Sequence, residues 1–119
     1  IVWQKARLLF KELYELMRNS KDYFLRDQIL RATLSISNNI AEGFGRYSKK
    51  EYIQFLNIAR GSANEVESML FILQDVSSIE KTKLIELQGI LSDIRNMINA
   101  LIQTLLRRIS EEETSRKNH

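Results

Sequence analysis

The amino-acid sequence predicts an all-α fold, an up-down-up-down antiparallel four-helix bundle. Apolar residues recur at steps of three and four positions in four stretches, which places them on one side of a helix. The 119 residues include no Pro and only four Gly, so the chain has little material for turns. The breaks between the stretches are short, and short connections make successive helices antiparallel neighbours.

The first two predicted helices are separated by a polar break at residues 19–22. The first helix spans about 2–18 and has on its apolar side Trp3, Ala6, Leu9, Leu13 and either Leu16 or Met17. The second helix has on its apolar side Leu25, Ile29, Ala32, Ile36 and Ile40. We expect it to end near Gly43 and Gly45, because glycine accepts the left-handed conformation that closes many helices.

Two Ser-x-x-Glu patterns predict the starts of the third and fourth helices. Ser48 with Glu51, and Ser77 with Glu80, match the capping box, in which each side chain binds a free backbone N–H of the first turn. The fourth helix then follows a heptad pattern with the apolar residues Leu84, Leu87, Leu91, Ile94, Ile98, Leu101 and Leu105. We expect residues 1–109 to form a single domain and residues 110–119, which are polar and aperiodic, to form a disordered tail.

The last two helices contain more apolar residues than one narrow seam needs. Residues 69–73 are apolar all the way round the third helix, and the fourth helix has further apolar positions outside its heptad pattern. Two interpretations are equally favoured: a broad bundle core, or a second apolar surface that is buried between subunits.

The residue types used in much enzyme chemistry are scarce. The chain has no Cys, and its one His is the last residue, His119. This composition excludes disulfide, thiolate-zinc and iron–sulfur sites and disfavours His-based catalysis. Glu42, Glu65 and Glu67 are interpreted as ordinary surface carboxylates rather than magnesium ligands. We therefore expect no catalytic residue, no metal, no cofactor and no small-molecule substrate.

Charge and hydropathy give weaker indications. No apolar run approaches the roughly 20 residues that cross a bilayer, and we find no signal-peptide pattern, so we expect a cytoplasmic protein without a membrane partner. The net charge is +3, divided as +5 on residues 1–60 and −2 on residues 61–119. A mildly basic half is compatible with nucleic acid or an acidic protein partner, and equally with an ordinary solvated surface.

A polar stripe on the second helix is not required by core packing. Its members, at steps of three and four, are Gln28, Arg31, Ser35, Asn39 and Glu42. If the second and third helices form a hairpin, Arg31 lies opposite Ser62 to Glu65. We predict an Arg31–Glu65 ion pair, with support from Asp27 and a close helix approach at Gly61. The stripe either fixes the register of the helices or forms a recognition groove.

Three segments resemble a known family. They are residues 3–6 (Trp-x-Lys-Ala), residues 28–43 (Gln-x-x-Arg-Ala-x-x-Ser-Ile-x-x-Asn-Ile-Ala-Glu-Gly) and residues 55–65 (Phe-Leu-x-Ile-Ala-Arg-Gly-Ser-x-x-Glu). Together they resemble the four-helix-bundle family of 23S ribosomal RNA intervening-sequence proteins over residues 2–105. From the last segment, Arg60, Ser62 and Glu65 join the candidate polar network.

The resemblance implies a homo-oligomer, typically a pentamer, with no established enzymatic activity. Founding members of the family are encoded in insertions within bacterial 23S ribosomal RNA genes. A related branch, the accessory variability determinant of diversity-generating retroelements, is a basic pentamer that binds reverse transcriptase and nucleic acid. The resemblance thus implies an oligomeric scaffold that associates with RNA or with a protein bound to nucleic acid.

Six basic residues are the candidate nucleic-acid contacts. They are Lys5, Arg7 and Lys11 on the first helix and Arg46, Lys49 and Lys50 around the turn before the third. Lys49 and Lys50 lie at a helix N-terminus, where free backbone N–H groups also favour phosphate. A ring of subunits repeats this modest charge. The alternative is an oligomer that binds proteins or has an architectural role, with no direct contact to nucleic acid.

Overall fold

The computed structural model describes residues 1–118, so His119 lies outside the described residues. The chain forms four helices, namely α1 (Val2–Met17), α2 (Tyr23–Phe44), α3 (Lys49–Val76) and α4 (Lys81–Lys117). The described residues contain no β-strand. Each helix packs against its neighbours in sequence, and α1 also packs against α4, while the diagonal helices within residues 1–118 bring no Cα atoms within 8 Å of each other. The predicted all-α, up-down-up-down bundle is confirmed.

The core lies along the axis of the bundle and contains the apolar side of every helix. The largest fully buried apolar side chains are Leu9, Leu13, Ile29, Ile36, Leu56, Val66, Leu70, Leu87, Leu91, Ile94 and Ile98. All members of the heptad pattern on α4 are buried except Leu101, which is half-buried. Ile90 and Ile102, outside that pattern, are also buried, so the core is broader than a strict heptad seam.

Side-chain caps fix the starts of two helices. The backbone N–H of Leu25 donates to Asp22 Oδ1 at 3.1 Å at the start of α2. The N–H of Glu51 donates to Ser48 Oγ at 3.3 Å at the start of α3, as the first Ser-x-x-Glu pattern predicts. Helix α2 ends at Phe44 without a left-handed residue, since Gly45 has a φ of −80°.

The second capping prediction is wrong. Ser77 follows the last residue of α3, and its hydroxyl donates to the carbonyl of Leu73 at 2.6 Å. The residue before α4 is Glu80, which makes no side-chain cap. A serine at the end of one helix can bind the carbonyl one turn back, so here it closes α3 rather than opening α4.

The prediction of a disordered tail from residue 110 does not match the structure. Helix α4 continues from Ile109 to Lys117, eight residues beyond the predicted end. Residues 110–117 are polar, but Glu and Lys are strong helix formers, and the basic Arg116 and Lys117 complement the partial negative charge of a helix C-terminus. An ion pair between Lys49 and Glu112 also holds this end of α4 against the start of α3. The helical element is therefore longer than apolar periodicity alone predicts.

Candidate interaction surfaces

Part of the predicted polar network joins α2 to α3. The hydroxyl oxygens of Ser35 and Ser62 lie 2.8 Å apart, within hydrogen-bond distance. The side-chain amide of Asn39 donates to the carbonyl of Ser35 at 2.8 Å and to its hydroxyl at 3.0 Å. Ser62 is buried, so this bond satisfies a hydroxyl that has little access to water. The Ser35–Ser62 bond ties the two helices together at one height, and Asn39 holds the Ser35 side chain from within α2.

The predicted Arg31–Glu65 ion pair does not form. Both side chains are exposed, and neither takes part in an ion pair among residues 1–118. Each lies two positions from a fully buried residue, Ile29 and Ala63 respectively, and two positions turn a side chain to nearly the opposite side of a helix. The two charges therefore point outward from the bundle rather than toward each other.

The remaining network candidates have other roles. Glu42 pairs with Arg46 one turn later in the chain, and Gln28 is half-buried. Arg60 faces α4, because its guanidinium donates to Asn99 Oδ1 at 2.8 Å as well as to Asn57 Oδ1 at 2.7 Å. Asp27, expected to support Arg31, pairs with Arg26 at 3.3 Å. The stripe is thus divided between a helix-joining cluster and an exposed surface.

The close approach of α2 and α3 occurs at Gly43 and not at Gly61. A Cβ atom added to Gly43 would lie 2.8 Å from Phe55 Cβ and 2.9 Å from Tyr52 Cδ1. A Cβ on Gly61 would meet nothing within 4 Å. The helices therefore need glycine near the end of α2, whereas Gly61 lies on the exposed side of α3.

Three of the six candidate basic contacts are engaged within the chain. Their ion pairs are Lys5–Asp93 at 3.3 Å, Lys49–Glu112 at 2.5 Å, and Arg46–Glu42. The Arg46 guanidinium also lies 4.9 Å from the centre of the Phe55 ring. A phosphate that binds any of these residues has to compete with a carboxylate of the same chain.

The other three basic candidates are more accessible. Lys11 and Lys50 are exposed and have no ion pair within residues 1–118. Arg7 lies one turn before Lys11 on the same side of α1, with its guanidinium 4.8 Å from the Trp3 ring. Arg7 and Lys11 can therefore act together, while Lys50 lies on α3 at its first turn.

The N-terminus of α3 has mixed charge. A groove of about 250 Å³ there is lined by Tyr47, Ser48, Lys49, Lys50, Ile109, Glu112, Glu113 and Arg116. The Lys49 ammonium group, which hydrogen-bonds to Glu112, lowers the pKa of that carboxyl group. The two carboxylates of α4 counteract the attraction of this helix terminus for phosphate.

Two further ion pairs join α4 to its neighbours α1 and α3. Lys83 of α4 donates to Glu12 of α1, and Arg95 of α4 donates to Glu67 of α3 at 2.9 Å. The hydrogen bond from Lys83 lowers the pKa of Glu12, and the same bond raises the pKa of Lys83. The Glu12–Lys83 pair is about three-quarters buried, so water screens it less than more exposed pairs such as Lys49–Glu112.

Several large apolar side chains remain exposed, on more than one side of the bundle. On α2 and α3 they include Phe24, Ile58, Ile72 and Val76, with exposed fractions of 76%, 51%, 47% and 64%. The other exposed large apolar residues of these two helices are Tyr23, Leu34, Phe44 and Phe71. Sequence reasoning noted the apolar surplus near Ile72 but missed Phe24 and Ile58. Sequence spacing could have identified them as surface residues. Phe24 lies seven positions, or about two turns, before Arg31, and Ile58 lies seven positions before Glu65, and both charges are exposed.

Metal and membrane sites are not evident in the described part of the chain. Residues 1–118 place no three His, Cys, Asp or Glu side chains where they could hold a metal ion together. None of the four helices combines the length and the apolar content that crossing a membrane requires.

Comparison with known proteins identifies relatives of this fold. The model of a family described as 23S rRNA-intervening sequence protein matches residues 1–100. A solved structure from Bacteroides thetaiotaomicron, described as a protein with unknown function from the S23 ribosomal protein family, is similar to the chain with a TM-score of 0.80 and 26% identity. The match covers 86% of this chain and 98% of that one. None of the curated proteins matches the chain.

Proposed function

Because the chain belongs to the family of 23S rRNA-intervening sequence proteins, we propose that it is a non-catalytic scaffold that acts as a homo-oligomer. Five copies is the expected number, since the family resemblance implies a pentamer. The observation that carries the proposal is the set of apolar side chains left outside a core that is already complete. In a monomer, four of these side chains leave apolar area in contact with water, namely Phe24, Ile58, Ile72 and Val76. Contact with a second copy would remove that area from water, which is energetically favourable.

Light scattering coupled to size-exclusion chromatography tests this proposal directly. We expect a mass several times the 14.0 kDa of one chain, with five chains as the specific expectation. The mass should persist at 1 M salt, because burial of apolar surface does not depend on screened charges. A species of one chain at all concentrations up to about 1 mM contradicts the proposal.

Association with RNA, or with a protein bound to nucleic acid, is the second part of the proposal. It is supported by the exposed cations Arg7, Lys11 and Lys50, which a ring of subunits repeats around its circumference. Lys5, Arg46 and Lys49 contribute less, because each is engaged with a carboxylate of its own chain. The cytoplasm, where ribosomal RNA is located, is the proposed setting.

Titration of a labelled 23S ribosomal RNA fragment at several salt concentrations tests the RNA part. We expect the logarithm of the binding constant to fall linearly with the logarithm of the salt concentration, because phosphate contacts release counterions. An oligomer with no RNA affinity at 50 mM salt favours the alternative, a protein-binding or architectural oligomer. Recovery of the same partners from nuclease-treated and untreated extracts then supports that alternative. Incubation of the RNA with the oligomer and Mg²⁺ should leave it intact, and cleavage contradicts the non-catalytic part.

A further inference from the structure

Two exposed stripes run along the outer sides of α2 and α3. The α2 stripe has residues at seven-position steps, Phe24, Arg31 and Asn38. The α3 stripe has the same spacing, Ile58, Glu65 and Ile72. All six side chains are exposed, and seven positions are close to two full helical turns, so each stripe keeps to one side of its helix.

The two stripes match in height along the bundle. The Ser35–Ser62 hydrogen bond marks one height that is shared by the antiparallel helices α2 and α3. Moving one turn toward the N-terminus of α2 reaches Arg31, and moving the same way along α3 reaches Glu65. Two turns further in the same direction, Phe24 lies level with Ile72. Two turns in the opposite direction from Arg31, Asn38 lies level with Ile58. At equal heights, therefore, Arg31 corresponds to Glu65 and the apolar Phe24 corresponds to the apolar Ile72.

These level residues do not satisfy one another within one chain. Arg31 and Glu65 point away from the core and make no ion pair among the described residues. Phe24 and Ile72 remain 76% and 47% exposed. The α2 stripe and the α3 stripe could pair with each other, because they place opposite charges and apolar groups at equal heights. They lie on different sides of one molecule, so the pairing needs a second copy.

We propose that in the oligomer α2 of one copy packs against α3 of the next, with Arg31 of one copy paired to Glu65 of the next and Phe24 against Ile72. Rotation about an axis parallel to the bundle changes no heights, so residues that are level in one copy stay level between neighbouring copies. Each contact uses two different surfaces, which is the head-to-tail arrangement that forms a ring when the rotation between successive copies closes. This inference rests on the proposed self-association and names the surface that carries it.

Charge reversal tests the pairing. Arg31→Glu and Glu65→Arg each place two like charges at every contact, so we expect the concentration for half-dissociation to rise at least about tenfold at low salt. The double variant Arg31→Glu/Glu65→Arg restores an opposite pair and should regain the parental mass. Lys81→Glu and Glu113→Arg, exposed positions outside both stripes, are matched controls that should leave the mass unchanged. Circular dichroism checks that each variant stays helical.

Cysteine crosslinking tests the geometry independently, because the natural chain contains no Cys. Arg31→Cys chains mixed with Glu65→Cys chains, refolded together and mildly oxidised, should form a disulfide-linked dimer, since the paired positions face each other. Neither variant alone should crosslink, because the ring brings position 31 of one copy to position 65 of the next. A mixture of Lys81→Cys and Glu65→Cys is the control and should remain uncrosslinked.

The outcomes separate this inference from the proposed function. If the parental chain is a monomer, self-association itself is overturned. If the parental chain is an oligomer and both single reversals keep its mass, the oligomer stands and the α2–α3 surface is overturned. If the two single charge reversals dissociate the oligomer and the double variant does not regain the parental mass, the Arg31–Glu65 pairing is overturned. Crosslinking between two Arg31→Cys chains also overturns it. Recovery by the double variant together with the mixed disulfide supports it.

Discussion

Replacement of Gly43 by alanine should destabilise the bundle, although alanine is the better helix former. Gly43 lies at the end of α2 and needs no left-handed backbone, because no glycine of the described chain has a positive φ. The only obstacle to alanine is space. The added Cβ would lie 2.8 Å from Phe55 Cβ and 2.9 Å from Tyr52 Cδ1, whereas carbon atoms in good contact are about 3.5–4.0 Å apart.

The magnitude follows from two opposing terms. Alanine gains at most about 1 kcal/mol over glycine in helix propensity, and less in the last turn of a helix. Phe55 Cβ is attached directly to the backbone of α3, so it cannot turn away and the helices must separate. Overpacking of this kind costs about 1–3 kcal/mol. We expect Gly43→Ala to lower the free energy of unfolding by up to about 3 kcal/mol.

Gly89 provides the matched control. It lies in α4, is exposed, and a Cβ there meets nothing within 4 Å. Gly89→Ala should raise the free energy of unfolding by up to about 1 kcal/mol. Urea unfolding at one protein concentration, followed by circular dichroism, measures both variants, and the fixed concentration matters because self-association stabilises the folded state. Equal stabilisation by the two substitutions refutes the close approach of α2 and α3 at Gly43.

Three further predictions concern the ties between helices and the RNA surface. Ser35→Ala should cost about 1 kcal/mol in urea unfolding, because it leaves the buried Ser62 hydroxyl without its partner, and Ser35→Thr, which keeps a hydroxyl, should cost less. Glu12→Gln should reduce stability at pH 7. Since the folded-state pKa of Glu12 is lowered, the deficit should shrink as the pH falls from about 4.5 through that lowered pKa, and the absence of any deficit at pH 7 counts against the Glu12–Lys83 pair. Lys50→Glu should weaken RNA binding and flatten its salt dependence, while unchanged binding places the RNA surface elsewhere.

Local signals in the sequence predicted the helices well. The positions of α1, α2 and α3 follow from apolar spacing, and the start of α3 follows from Ser48, because a cap involves only neighbours in sequence. The same capping pattern gave a wrong prediction at Ser77, because its hydroxyl binds a carbonyl at the end of α3 instead of an N–H at the start of α4. Local signals also failed at the end of α4, since Glu112 is held by Lys49, 63 positions away in the sequence.

The sequence predicted the heights of the charged residues on α2 and α3 but not the direction in which their side chains point around each helix. Counting along the hairpin places Arg31 and Glu65 at one height, which the Ser35–Ser62 bond supports. Height alone does not decide whether two side chains meet. Their direction around the helix does, and it is set by Ile29 and Ala63, whose burial turns both charges outward. Sequence spacing contains this information, but the charge pattern, taken alone, suggests an internal pair.

The internal contacts of α2 and α3 also determine what the outside of the bundle can do. The Ser35–Ser62 hydrogen bond and the contact of Gly43 with Phe55 hold the two helices at two different heights. A slide of α3 by one turn would break both contacts and move Glu65 out of level with Arg31. The Ser35–Ser62 bond and the contact at Gly43 therefore fix the register of the exposed stripes. The polar stripe on α2 therefore contains both the half-buried residues that fix the register and the exposed charges, and in the proposed oligomer that register would set the heights at which the charges of neighbouring copies meet.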